Sequence, residues 1–240
     1  MLTSHKPWSW LALLATVAAS LGLASAGQEN VNADGIFVLK DTVFLFTTVQ
    51  KVPGCNTQSQ PAVAQIYVST DAGNTWTKRG PELEGSQFEY AYESGGKLWV
   101  AGEHTAEGPS IDPFVLVPGE SQSEWVLHTI YKGPSELKGV AFQENGELVA
   151  WVRHVNVHPD NLPGTTYIHK SSDGGRTWKT VGHVKGLSGQ PSRKFPKIEK
   201  QSATWQVVDQ GDRGFTVQHR QGEQEAWKTV SQFHLYPCQQ

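Results

Sequence analysis

Two stretches of this sequence end alike. Leu98–His104 reads LWVAGEH and Leu148–His154 reads LVAWVRH, and a shift of 50 residues superposes them. The shift pairs His104 with His154 and sets Glu103 opposite Arg153. His158 and Asp160 follow closely in HVNVHPD. Imidazole, carboxylate and guanidinium groups in one neighbourhood suit a polar or anionic ligand. Imidazole with carboxylate also suits zinc or copper. The plain alternative is a set of solvated residues at strand ends. We take Glu103, His104, Arg153, His154, His158 and Asp160 as the candidate ligand-binding residues, and expect no metal and no cofactor.

A second constellation looks more like an active site. STDAGNTW (69–76) and SSDGGRTW (171–178) both fit Ser-x-Asp-x-Gly-x-Thr-Trp. Ser69 and Asp71, like Ser171 and Asp173, carry short polar side chains that bond nearby backbone N–H groups and so favour turns. Gly73 and Gly175 supply positive φ. Thr75 and Thr177 complete the turn, and Trp76 and Trp178 open the next strand with a large apolar surface. The octapeptides therefore read as scaffold. Calcium chemistry of the EF-hand kind needs further oxygen ligands and a late Glu, which neither has.

The elements around these residues repeat. Trp76, Trp125, Trp178 and Trp227 are spaced 49, 53 and 49 residues apart, each after an apolar run and a polar turn. Three strand-like runs precede the turn in each unit and one follows it, although the first run of unit four, near Lys197–Thr204, is less clear. Four antiparallel strands per repeat of about 50 residues describe a propeller blade. A β-sandwich would not impose that period. The fold expected is all-β, a propeller of four blades at about 34–82, 83–132, 133–184 and 185–240. The alternative to a closed ring is an open arc that completes itself by dimerising.

The two octapeptides resemble the Asp-boxes, or BNR repeats, of sialidase-like β-propellers. The match is close in units one and three, and only the Trp and flanking strands survive in units two and four. The resemblance implies that the box Asp braces its turn and is not a catalytic acid. Sialidase chemistry would need an arginine triad, an acid/base Asp and a Tyr nucleophile paired with Glu. The chain has only Arg79, Arg153, Arg176, Arg193, Arg213 and Arg220, and Arg176 lies inside a box. No spacing singles out a carboxylate pair among the 23 acids, so no catalytic residue is nominated; the alternative function is a secreted glycoside hydrolase related to sialidases.

Strand order gives the propeller two ends. The boxes join third and fourth strands and mark one end. The long, uneven second-to-third links Val49–Pro61, Glu103–Asp112 and His154–Gly164 mark the other, where variable loops commonly carry function. The basic run 192–200, with Arg193, Lys194 and Lys197, falls in the link between blades three and four, on that same end.

Residues 1–26 read as a secretory signal: Lys6, an apolar run from Leu11 to Leu23, and Ala24-Ser25-Ala26. The single domain is then 27–240, secreted or periplasmic, with no membrane span after cleavage. The formal charge of −3 becomes −4 once Lys6 is removed, so nucleic acid is not a partner. Two cysteines in an exported chain are most simply a disulfide, Cys55–Cys238. In a ring that sets unit four against unit one, both lie on the loop-bearing end. The reading as a whole is a non-catalytic module that binds a protein or carbohydrate through its loops.

Overall fold

The computed structural model describes residues 29–51, 62–105, 111–120, 124–155, 165–185 and 194–235. The leader, Cys55, Cys238, His158, Asp160 and Arg193 lie outside the described residues.

The chain is all-β and folds as four antiparallel blades. Blade 1 contains β1 (Glu29–Leu39), β2 (Thr42–Lys51), β3 (Val63–Ser69) and β4 (Thr77–Glu84). Blade 2 contains β5 (Ser86–Ser94), β6 (Lys97–Thr105), β7 (Ile111–Pro118) and β8 (Trp125–Thr129). Blade 3 contains β9 (Ser135–Phe142), β10 (Leu148–His154), β11 (Thr165–Ser171) and β12 (Lys179–Lys185). Each of these sheets runs in chain order. Blade 4 has three strands, β13 (Trp205–Asp209), β14 (Phe215–His219) and β15 (Lys228–Phe233). Among the described residues no helix is long and apolar enough to cross a membrane.

The middle strands of blades 1 and 2 read as unbroken apolar runs because those two blades are covered on both faces. In β2, Val43, Leu45 and Val49 enter the core shared by blades 4 and 1, while Phe44 and Phe46 enter the core shared by blades 1 and 2. In β7, Phe114 and Leu116 face blade 1, and Val115 and Val117 face blade 3. A period of two that is apolar at every step is the signature of a doubly buried strand. The packing order is therefore 4-1-2-3. The far face of blade 3 forms a small cluster of its own, Ala141, Val149 and Trp151 with Ile168 and Val184.

The octapeptide turns are built alike. Ser69 Oγ donates to Asp71 Oδ1 (2.8 Å) and accepts the N–H of Gly73 (2.9 Å). The Thr75 N–H and hydroxyl then close onto Asp71 at 2.9 and 2.6 Å. Ser171, Asp173, Gly175 and Thr177 repeat this at 2.7, 2.8, 2.9 and 2.6 Å. Gly73 and Gly175 both take positive φ, 82° and 83°. Trp76 donates its indole N–H to Ser231 Oγ across the blade 1–blade 4 contact (2.9 Å). In blade 4 the turn is held differently. The Arg220 guanidinium lies 4.3 Å from the Trp227 ring centre and donates to the carbonyls of Ala203 and Glu223.

The less clear first strand of unit four has a physical explanation. Residues 194–201 do not form a regular strand. They run along the axis side of the inner strands and bridge each in turn: Lys194 with Ala141, Lys197 with Tyr90, Glu199 with Ile36, and Gln201 with Gln206. The chain thus reaches blade 4 by passing blades 3, 2 and 1 along their inner edges. Phe195 anchors it, buried and stacked on Tyr92 with ring centres 5.0 Å apart.

Candidate functional site

The inner strand of each complete blade carries a one-residue bulge. Registers shift between Ala33 and Gly35 in β1, between Phe88 and Tyr90 in β5, and opposite Trp151/Val152 in β9, where Gly139 and Leu137 are the paired residues. The extra residues are Asp34, Glu89 and Lys138. A bulge leaves its extra residue out of the ladder and re-aims its side chain. Here three blades use it to place a charged group at the inner edge, beside the crossing segment.

Glu89 is the most perturbed of the three. Burial is the largest influence, the facing Glu103 adds to it, and together they push its carboxyl up to about 7, while Lys197 and Lys138 pull the other way. Glu103 is half-buried and also raised by burial, although its Oε1 accepts the Leu137 N–H at 2.5 Å. Lys138 and Arg153 both contact Glu136, which holds the two cations together at the inner end of blade 3. On blade 1, burial raises Asp34, opposed by the Thr48 hydroxyl (2.8 Å) and by Lys200. Glu89, Glu103, Lys138 and Lys197 therefore present charge of both signs across the blade 2–blade 3 contact, with Glu136 and Arg153 behind Lys138 on blade 3.

The residues singled out in the sequence divide between faces. His104 Nδ1 lies 2.7 Å from Ser86 Oγ. His154 is sandwiched between Tyr131 and Tyr167, with ring centres at 4.0 and 4.1 Å. They do not converge, because equivalent positions in successive blades face the same way around the axis. In β6 the even positions Leu98 and Val100 pack toward blade 1, and in β10 the even positions Leu148, Ala150 and Val152 pack toward blade 2. His104 and His154 thus belong to successive interfaces. Glu103, one step along in β6, shares the face of Ala101 toward blade 3 and meets the axial cluster. Arg153, one step along in β10, follows Val149 and Trp151 on the far face of blade 3 and joins the cluster through Glu136, the partner it shares with Lys138. His169, below His154, is lowered to about 4 by burial and by His154, and its Nε2 is buried without a partner among the described residues. No group of three or more His, Cys, Asp or Glu that could hold a metal ion occurs among the described residues.

Asp34, Glu89, Lys138 and Glu136 were missed. Three of them are signalled by a charge directly before the apolar run of an inner strand, DGIF, EYAY and KGVAF, with Gly following the charge in two cases, and Glu136 has no such signal. Of the basic run, Lys197 is exposed beside Glu89, whereas the Lys194 side chain fills the space over Gly139.

No protein-family model matches the chain, and no curated protein matches it. Among solved structures it is similar to a family 117 glycoside hydrolase of the marine bacterium Zobellia galactanivorans, with 9% identity, TM-score 0.36, and 88% of this chain and 72% of that one covered. It is also similar to a xylan β-1,4-xylosidase of Bacillus halodurans (15% identity, TM-score 0.33, 79% and 38% covered). The Trypanosoma rangeli sialidase is a third (15% identity, TM-score 0.35, 84% and 38% covered). The chain spans 38% of the length of each of the last two.

Proposed function

We propose that this is an exported binding module that takes a carbohydrate at the inner, loop-bearing end of blades 2 and 3. The observation that carries the reading is the axial cluster around Glu89. A carboxyl raised to about 7 by burial works against stability at neutral pH, and such groups gather at functional sites. Beside it, Glu103, Lys138 and Arg153 offer acceptors and donors within one neighbourhood, as a hydroxyl-rich ligand requires. Glu103 already serves the Leu137 amide, and the crossing segment fills the inner edge, which favours binding over turnover. In this reading the leader is removed near Ala26, and Cys55 pairs with Cys238 across the packed blade 4–blade 1 contact. Alkylation of either cysteine before reduction would refute the pairing.

The test is glycan-array binding by the wild type and by a Glu89→Gln/Lys138→Ala/Arg153→Ala variant, with Arg176→Ala, on an octapeptide turn, as control. The expected result is a bound glycan class that the axial variant loses and the control keeps. Binding unchanged in the axial variant would overturn the site.

One observation favours a second reading, glycoside hydrolysis. Glu89 near 7 and the neighbouring Glu103 are the kind of unequal carboxyl pair from which a general acid is drawn. A chromogenic glycoside screen separates the two. Turnover that disappears in Glu89→Gln would replace the binding reading with the hydrolytic one.

A further inference from the structure

We propose that residues 194–201 form a latch on the inner edge of the blades, held shut while Glu89 is neutral and loosened when Glu89 ionises. The segment is held by backbone bonds to successive inner strands. The Phe195 N–H donates to the Val140 carbonyl (2.8 Å), and the Ala91 N–H donates to the Pro196 carbonyl (3.2 Å). The Ile198 N–H donates to the Glu89 carbonyl (2.8 Å), and the Ile36 N–H donates to the Glu199 carbonyl (2.9 Å). Glu89 is thus both a backbone partner of the segment and the half-buried carboxyl beneath it. The side chains that hold the segment flank this point, Phe195 stacked on Tyr92 and Ile198 packed over Gly35, while Lys197 between them is exposed.

The direction follows from what surrounds Glu89. On its own strand lies Tyr90; from β6 it faces Glu103; from β9, Lys138 with its partner Glu136 and the Arg153 that shares it; from the segment, Lys197. Asp34 and Lys200 form the corresponding pair on blade 1. Lys197 and Lys138 favour the carboxylate, but burial and Glu103 outweigh them, because the group is raised to about 7. A group raised in the closed state stabilises that state below its ordinary range and ceases to do so as pH rises through 7. If lifting the segment returns Glu89 to water, ionisation favours the lifted form. The full shift would change the opening equilibrium by a few hundredfold, and the half-exposure of the group reduces this to about tenfold. Lifting the segment frees the inner-edge groups of Ile36, Ala91 and Val140 and gives a ligand access to the axial cluster. The latch rests on the same cluster as the binding reading but not on any ligand.

Amide hydrogen exchange on the full chain tests it without a ligand. After correction for intrinsic exchange, protection of the Ile36, Ala91, Phe195 and Ile198 amides is expected to fall about tenfold between pH 5.5 and 8.5. Protection of Ile66 and Leu116 in the blade cores is expected to stay level. In Glu89→Gln the four amides are expected to lose their pH dependence. Level protection of the four amides in the wild type, or an unchanged pH dependence in Glu89→Gln, would overturn the latch. Either result would leave glycan binding untouched, so the two proposals fail separately.

Discussion

Gly35→Ala is the sharpest perturbation of the crossing segment. A Cβ at position 35 would lie 2.3 Å from Ile198 Cγ2 and 2.8 Å from the Glu199 carbonyl oxygen. Ordinary carbon contacts are about 3.5–4.0 Å. The Ile198 methyl can swing aside, but the Glu199 oxygen is backbone and accepts the Ile36 N–H at 2.9 Å. The segment would have to move by about 1 Å and weaken that bond. Overpacking of this kind costs about 1–3 kcal/mol. The lower entropy of an unfolded Ala chain returns about 0.4–1 kcal/mol. The net loss expected is about 1–2 kcal/mol, a fall in Tm of roughly 2–8 °C at this chain length. Gly182→Ala is the matched control, since nothing lies within 4 Å of a Cβ there. It should be neutral or slightly stabilising. Thermal unfolding followed by tryptophan fluorescence reads both. Equal melting of the two variants would mean that the segment does not lie against β1.

Three further outcomes follow from the same packing. Glu89→Gln should stabilise the protein above pH 7 by about 1–2 kcal/mol, after discounting for half-exposure. Below about pH 4.5 it should change little, because Glu89 is neutral in the folded and unfolded states alike; urea midpoints at pH 4 and 8 measure this. Phe195→Ala should cost about 3–5 kcal/mol, because it empties the site between Tyr92 and Phe142 and releases the segment. In the turns the sign is opposite. The Thr75 and Ser69 bonds hold Asp71 down to about 2, and the equivalent bonds hold Asp173 lower still. Their contribution is present above the ordinary carboxylate range and lost as pH falls from about 4 toward 2, so an Asp71→Asn/Asp173→Asn variant should show a flatter acid limb in a pH–Tm profile.

The blades were legible because their cause is local. Doubly buried strands such as TVFLFTT and LVAWV, the four spaced tryptophans and the turn chemistry of Ser69, Asp71 and Gly73 are all written within a few residues. The site was less legible because it depends on register. His104 and His154 align perfectly by sequence, yet a propeller repeats the direction of a side chain around the axis, so aligned residues line successive interfaces. Glu103 reaches the axial cluster because it sits one position away, toward blade 3, and Arg153 joins it only through Glu136, which it shares with Lys138. Asp34, Glu89 and Lys138 owe their placement to bulges, each a single extra residue in a strand. The route of residues 194–201 depends on Gly35 and Gly139, whose missing side chains let Ile198 and Lys194 approach. A close approach between distant segments leaves no periodic trace.

The proposed site turns on Glu89, a half-buried carboxyl raised by its surroundings, being open to a glycan. Carbon-detected NMR of its side-chain carboxyl, assigned by comparison with Glu89→Gln, measures this directly in the presence and absence of a glycan selected on the array. The account predicts titration near pH 7 in the free protein and a displaced titration in the bound one. A carboxyl that titrates in the ordinary glutamate range and ignores the glycan would contradict it.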